Sequence, residues 1–165
     1  MSRDSTDEIA AAWAQELPGV VGEELELAKR AARLAAILGD KVNAELARLG
    51  LTKAEYEILA VLRASGSPYR LRPSDLATRL MLSSGGTSNL VRRLTEAKLL
   101  DREADPADAR SSWVRLTKTG VRLSEEAVRA ATTAQATALA AVPEPDRKAA
   151  IAALRQVLLA LGDRP

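Results

Sequence analysis

Apolar residues recur at helical spacing along most of the chain, and proline and glycine punctuate the runs. Ile9, Ala12 and Trp13 follow that spacing within residues 4–17, and Pro18-Gly19 ends the run. A longer stripe of Leu27, Ala31, Leu34, Leu38, Val42 and Leu46 predicts an amphipathic helix over residues 23–49, stopped by Gly50. Its other faces carry lysine, arginine and glutamate together, a mixture that argues against lying on a membrane surface. Thr52 followed three positions later by Glu55 is a capping box, so the next helix runs from there to Ala64. Ser65-Gly66-Ser67-Pro68 closes it, and Tyr69-Arg70-Leu71 reads as extended. Arg72-Pro73-Ser74-Asp75 then opens a two-turn helix ending at Leu80, with proline in the first turn, where no backbone donor is lost.

Met81-Leu82 form a turn, and Ser83 starts a helix over residues 83–97. Two short helices joined so tightly are a helix-turn-helix pattern. In the second, Leu90, Val91, Leu94 and Ala97 make the apolar stripe, while Ser84, Ser88, Asn89, Arg92 and Glu96 lie largely opposite. Short polar and basic side chains on a serine-capped helix suit the DNA major groove, because they offer hydrogen bonds without bulk. Residues 99–103 and 112–116 read as two strands around a tip, residues 104–111, rich in turn formers. Such a tip bearing Arg110 beside a recognition helix is a wing placed to probe the minor groove; the alternative is a solvated hairpin with an incidental arginine.

Thr117 caps a helix whose narrow stripe is Val121, Leu123, Ala127, Ala131, Ala134 and Ala138, reaching to about residue 141. Pro143 starts the last helix, with Ile151, Leu154, Val157, Leu158 and Leu161 on its apolar face. The end helices carry more apolar stripe than the lobe between them can bury. A second copy of the chain is the expected cover, giving a homodimer.

Composition narrows the chemistry. Of 165 residues, 47% are apolar but only 2% aromatic, with no phenylalanine, so the core is leucine, valine, isoleucine and alanine. The net charge of +2 says little by itself. Its distribution says more: residues 70–118 hold ten basic against six acidic side chains, leaving the remainder at 14 against 16. A basic middle in a slightly acidic remainder is the footprint of a DNA-reading lobe on an oligomerising frame. Cysteine and histidine are both absent, which removes disulfides, thiolate and imidazole metal sites, and the Ser-His and Cys-His nucleophiles. Ser83-Ser84-Gly85-Gly86 also lacks the G-x-S-x-G elbow, so neither an enzyme, a metal nor a cofactor is expected. No apolar run approaches the roughly 20 residues that span a bilayer, and Met1-Ser2-Arg3-Asp4 has no apolar signal core; the expected location is the cytoplasm.

With these elements in place, residues 51–120 resemble the MarR family of winged helix-turn-helix repressors. The resemblance rests on Leu51-Thr52, Leu71-Arg72-Pro73-Ser74-Asp75-Leu76-Ala77, Leu82-Ser83, Arg93-Leu94, Asp108-Ala109-Arg110, Val114-Arg115-Leu116-Thr117 and Gly120. It implies a mainly α fold with a small β-wing: helices 1–50 for dimerisation and a ligand cleft, a winged helix-turn-helix domain over 51–118, and C-terminal dimerisation helices over 119–165. The implied partner is double-stranded DNA, a pseudo-palindromic operator read by a homodimer. Ser84, Ser88, Asn89 and Arg92 would meet base edges or adjacent phosphates, Ser74, Thr87 and Arg93 would position the backbone, and Arg110 would enter the minor groove. An activator, a ligand-independent regulator and a winged-helix protein-interaction module are the alternatives.

Trp13, Pro68-Tyr69-Arg70-Leu71, Ser83-Ser84-Gly85 and Thr87-Ser88-Asn89 also resemble the urate-responsive PecS/HucR-like branch. The branch's ligand residues fall on Trp13, Glu57 and Arg102, implying a small aromatic anion such as urate or a phenolic compound as effector. Its remaining arginine position is Ala64 here. Two further departures are Arg92, where many members have aspartate, and Lys98, where glycine is common. If the backbone at Lys98 needs positive φ, lysine costs about 1 kcal/mol.

Overall fold

The computed structural model describes residues 3–105 and 108–163, with backbone only for residues 108–111. In order come α1 (Ser5–Glu16), α2 (Glu23–Arg48), α3 (Lys53–Ala64), β1 (Arg70–Leu71), α4 (Pro73–Leu80) and α5 (Ser84–Glu96). The wing follows as β2 (Leu100–Asp105) and β3 (Asp108–Leu116), then α6 (Lys118–Ala138) and α7 (Glu144–Ala160). The sheet is antiparallel with order β1-β3-β2.

The predicted elements recur in order, with one difference in the wing. The two strands run further than expected, through Ala104↔Ser112 to Asp105↔Asp108, across an irregularity between Ala104 and Asp105. Turn-forming composition is a local preference, and backbone pairing to an existing ladder overrides it. The segment read as a loop is therefore mostly ribbon.

One core joins the helix-turn-helix to the sheet. Ile58, Leu59 and Leu62 of α3, Leu76 of α4, Val91 and Leu94 of α5, and Leu100 and Val114 of the sheet are all buried. Each such aliphatic side chain contributes about 1.5–3 kcal/mol on burial. The core continues through Leu46 of α2 into Ala127 and Ala131 of α6, where small residues let α2 and α6 lie close together. Gly120, in the first turn of α6, passes so near the Leu99 carbonyl that a Cβ there would clash with backbone. This contact locks α6 against the root of the wing.

The outer helices are different. α1 is capped by Asp4 and Asp7 reciprocally, and Arg30 of α2 collects Asp4, Asp7 and Glu26 at 2.9, 2.7 and 2.8 Å. No residue of α7 is buried. Ile9 and Trp13 of α1, Leu27, Leu34 and Ile37 of α2, and Ile151, Leu154 and Leu158 of α7 are all exposed. No helix among the described residues is long and apolar enough to cross a membrane.

Candidate nucleic-acid interface

The turn between α4 and α5 is made by Met81, which takes a left-handed conformation (φ 51°) and lets the chain reverse within three residues. Ser83 then caps α5, its Oγ accepting from the Gly86 amide at 3.1 Å. At the far end of α5, Lys98 adopts φ 59°, the left-handed region in which glycine is the unstrained choice. The cost anticipated for lysine at this position therefore applies.

Two contacts fix the rotation of α5, one of them buried. Val91 and Leu94 face the core, and Arg93 reaches across to Glu55 of α3 at 3.0 Å. Glu55 does two jobs: one carboxylate oxygen meets Arg93, while the other accepts from the Thr52 amide at 2.9 Å and its hydroxyl at 2.7 Å. Burial pushes this carboxyl up, but the two Thr52 hydrogen bonds and the Arg93 charge outweigh it and hold the group below its ordinary value. The capping box of the supporting helix is thus also the anchor of the helix above it.

With α5 so held, Ser84, Ser88, Asn89, Arg92 and Glu96 are exposed. Arg92 donates to Asn89 Oδ1 at 2.7 Å and to Glu96 Oε1 at 2.9 Å, forming a polar chain along the outer face. Ser74 is exposed in the first turn of α4. Thr87, expected to position the DNA backbone, faces inward instead. It is 1% exposed and donates its hydroxyl to the Ser83 carbonyl at 3.0 Å, because its position falls on the stripe of Val91 and Leu94. It packs α5 and cannot reach a phosphate. Arg110 falls on the backbone of β3, and its side chain lies outside the described residues.

The three residues assigned to ligand lie on separate elements: Trp13 on α1, Glu57 on α3 and Arg102 on β2. Strand alternation puts Arg102 on the same face as Leu100, opposite Val114, so it emerges beside α5. There it lines a groove of about 560 Å³ with Ser88, Asn89, Arg92, Thr95 and Glu96. Trp13 is half-exposed on α1, whose packing partner is α2. Glu57 sits on α3, where Tyr56 is pushed above its ordinary value, first by burial and then by the Glu57 carboxylate. Arg63, one residue before Ala64, is committed elsewhere: it pairs with Glu125 of α6 at 2.8 Å and lies over the Tyr69 ring at 4.7 Å. The groove position of Arg102 was readable from its two-residue offset from Leu100. Thr95, which also lines the groove, was likewise readable, at helical spacing from Ser88 and Arg92. Among the described residues, no cluster of carboxylates could hold a metal ion.

A profile described as the MarR family matches residues 49–111. The chain is 27% identical to the HTH-type transcriptional regulator PecS of Dickeya dadantii, over 73% of each chain. Its fold is similar to the crystal structure of AbsC, a MarR family transcriptional regulator from Streptomyces coelicolor (TM-score 0.74, 25% identity, 87% of this chain and 98% of that one). It is also similar to CouR from Rhodococcus jostii bound to p-coumaroyl-CoA (TM-score 0.67, 23% identity, 81% and 90% covered).

Proposed function

The chain belongs to the MarR family of DNA-binding transcriptional regulators, and on that premise we propose that it is a repressor reading a pseudo-palindromic operator as a homodimer and released by a small aromatic anion. The observation that carries the DNA reading is the fixed rotation of α5, with Val91 and Leu94 inward, Arg93 tied to Glu55, and a continuous polar face outward. On this reading Ser84, Ser88, Asn89 and Arg92 meet base edges or adjacent phosphates, with asparagine best suited to adenine. Ser74, Arg93 and the helix-start amides position the phosphate backbone, and Arg110 enters the minor groove. Two copies joined through their exposed outer helices set the recognition helices about 34 Å apart, one turn of DNA.

The effector reading rests on the PecS relative and on a phenolic ligand, p-coumaroyl-CoA, in a protein of the same fold. Trp13 and Glu57 belong to the lobe-to-frame cleft in this reading. Arg102 has a second assignment, since its groove is shared with Asn89 and Arg92: it joins the DNA-facing set. A compound releases DNA only if it binds one lobe spacing better than the other.

The test is a gel shift on the DNA upstream of the chain's own gene, with urate and a panel of phenolic acids. The expected result is a complex favoured over unrelated DNA and dissolved by one of these ligands. Equal retention of unrelated DNA would point to a protein-interaction module instead. A specific complex indifferent to every ligand would leave a regulator without this switch.

A further inference from the structure

The outward face of the sheet concentrates charge around one aromatic ring. Leu71, Leu100, Val114 and Leu116 point inward and are buried, so alternation turns Arg70, Asp101, Glu103, Trp113 and Arg115 outward. Because β3 is central, partners on β1 and β2 must bridge across it. Arg70 does so to Glu103 at 2.7 Å, and Arg72, the N-cap of α4, reaches Asp105 at 2.7 Å. Both guanidinium groups lie over Trp113 of β3, at 4.8 and 5.0 Å from its ring centroid. A guanidinium stacked on a ring keeps its N–H edge free for a carboxylate, which an ammonium cannot do with the same geometry. Trp113 is thus the floor beneath two arginine–carboxylate bridges.

The bridges connect particular places. Asp105 ends β2, and its side chain is 5% exposed. Arg72 immediately precedes Pro73 and Ser74 in the first turn of α4. The Arg72–Asp105 pair therefore fastens the ribbon to the entrance of the helix-turn-helix. We propose that Trp113, Arg72 and Asp105 form a clamp that sets where the wing stands relative to α4 and α5. They are positioning residues, acting on DNA through Arg110. This rests on the reading of the ribbon as a DNA-contacting wing.

Binding of the full-length chain to operator and unrelated duplexes across a salt series tests the clamp, using Trp113→Leu, Arg72→Lys, Asp105→Asn and the conservative Trp113→Phe. Loss of one cationic contact, in the minor groove as at a phosphate, lowers the slope of log affinity against log salt by about one. A merely smaller folded fraction reduces affinity equally at all salts. Trp113→Leu and Arg72→Lys, which leave the formal charge unchanged, are expected to lose about tenfold in operator affinity with the lower slope; Asp105→Asn, which also removes a carboxylate, is read by amide exchange, and Trp113→Phe, which keeps a ring beneath the guanidinium groups, stays near the parent. In an Arg110→Ala background Trp113→Leu should cost nothing further, since the residue it positions is gone. Amide exchange across residues 100–105 and 112–116 supplies a readout without DNA, and should speed in Arg72→Lys and Asp105→Asn.

Unchanged slopes, an equal loss in the Arg110→Ala background, or unchanged exchange in Arg72→Lys and Asp105→Asn would each overturn the clamp. If the parent chain itself shows no operator preference, the DNA reading fails separately, and the exchange measurement still decides whether these residues hold the ribbon.

Discussion

Arg92 holds its guanidinium between Asn89 and Glu96 on the face assigned to DNA. Arg92 and Glu96 are 63% and 62% exposed, so their pair is worth no more than about 1 kcal/mol and yields to a phosphate. The carboxylate has a larger effect on DNA, whose charge it repels at the same spot. Glu96→Gln should raise affinity for random duplex several-fold and steepen its salt slope by about one, narrowing the ratio of operator to random binding. Anisotropy titrations on both duplexes measure this, and an unaltered random-duplex affinity would remove Glu96 from the interface. The opposite effect is expected at the wing: Arg110→Ala should weaken operator binding by about 1–3 kcal/mol and lower the slope by about one. Equal affinity and slope in gel shifts across a salt series would sink the wing assignment.

At the scale of elements, the joints between helices set the site more than the helices do. Glu55 joins α3 to α5, and its two roles make Glu55→Gln costly at neutral pH, by about 1–3 kcal/mol in urea unfolding. The sign with pH follows from its depressed folded value. The stabilisation is complete above the unfolded value of 4.5 and is lost as pH falls through the lower folded one. The parent should therefore lose stability on acidification where the variant loses less; parallel acid limbs would show that Glu55 is not the linked group. Gly120 joins α6 to the wing root, and Gly120→Ala should destabilise by about 1–3 kcal/mol, read as a lower melting temperature. These joints also mark what was legible in the sequence. Caps, stripes and the tight turn are local, so Thr52, Ser83, Met81-Leu82 and the inward face of α5 could be read from spacing alone. Glu55 was recognisable as a cap, but its bond to Arg93 joins residues far apart in the chain, and no spacing rule reports it. Thr87 was misplaced for a different reason: its phase with Val91 and Leu94 was legible in the spacing, but the polar composition of threonine was given more weight. The ribbon tip failed because turn propensity at residues 104–111 yielded to pairing with a strand already in register.

The whole molecule leaves apolar surface where a reading lobe does not need it. α7 buries none of its residues, and Ile151, Leu154 and Leu158 stand 57%, 37% and 48% exposed beside one another at helical spacing. α2 adds Leu27, Leu34 and Ile37, and α1 adds Ile9 and Trp13. A chain that exposed these stripes in water would forgo about 25 cal/mol for each Å² left uncovered, and self-association through the same patch on two copies recovers it. The expected mass in light scattering is about 35 kDa, twice the 17.6 kDa chain. Leu154→Glu with Leu158→Glu should shift the mass to one chain, since neither carboxylate can be buried unpaired in an apolar interface. The lobe core is remote from these positions, so its helical signal should persist. Operator affinity should nevertheless fall steeply, because a monomer reads one half-site and loses the effective concentration that holds the second. A single-chain mass for the parent, or a monomeric variant with parental affinity for the full operator, would contradict the two-copy reading, and half-site DNA separates the outcomes: parent and variant lobes should bind it alike.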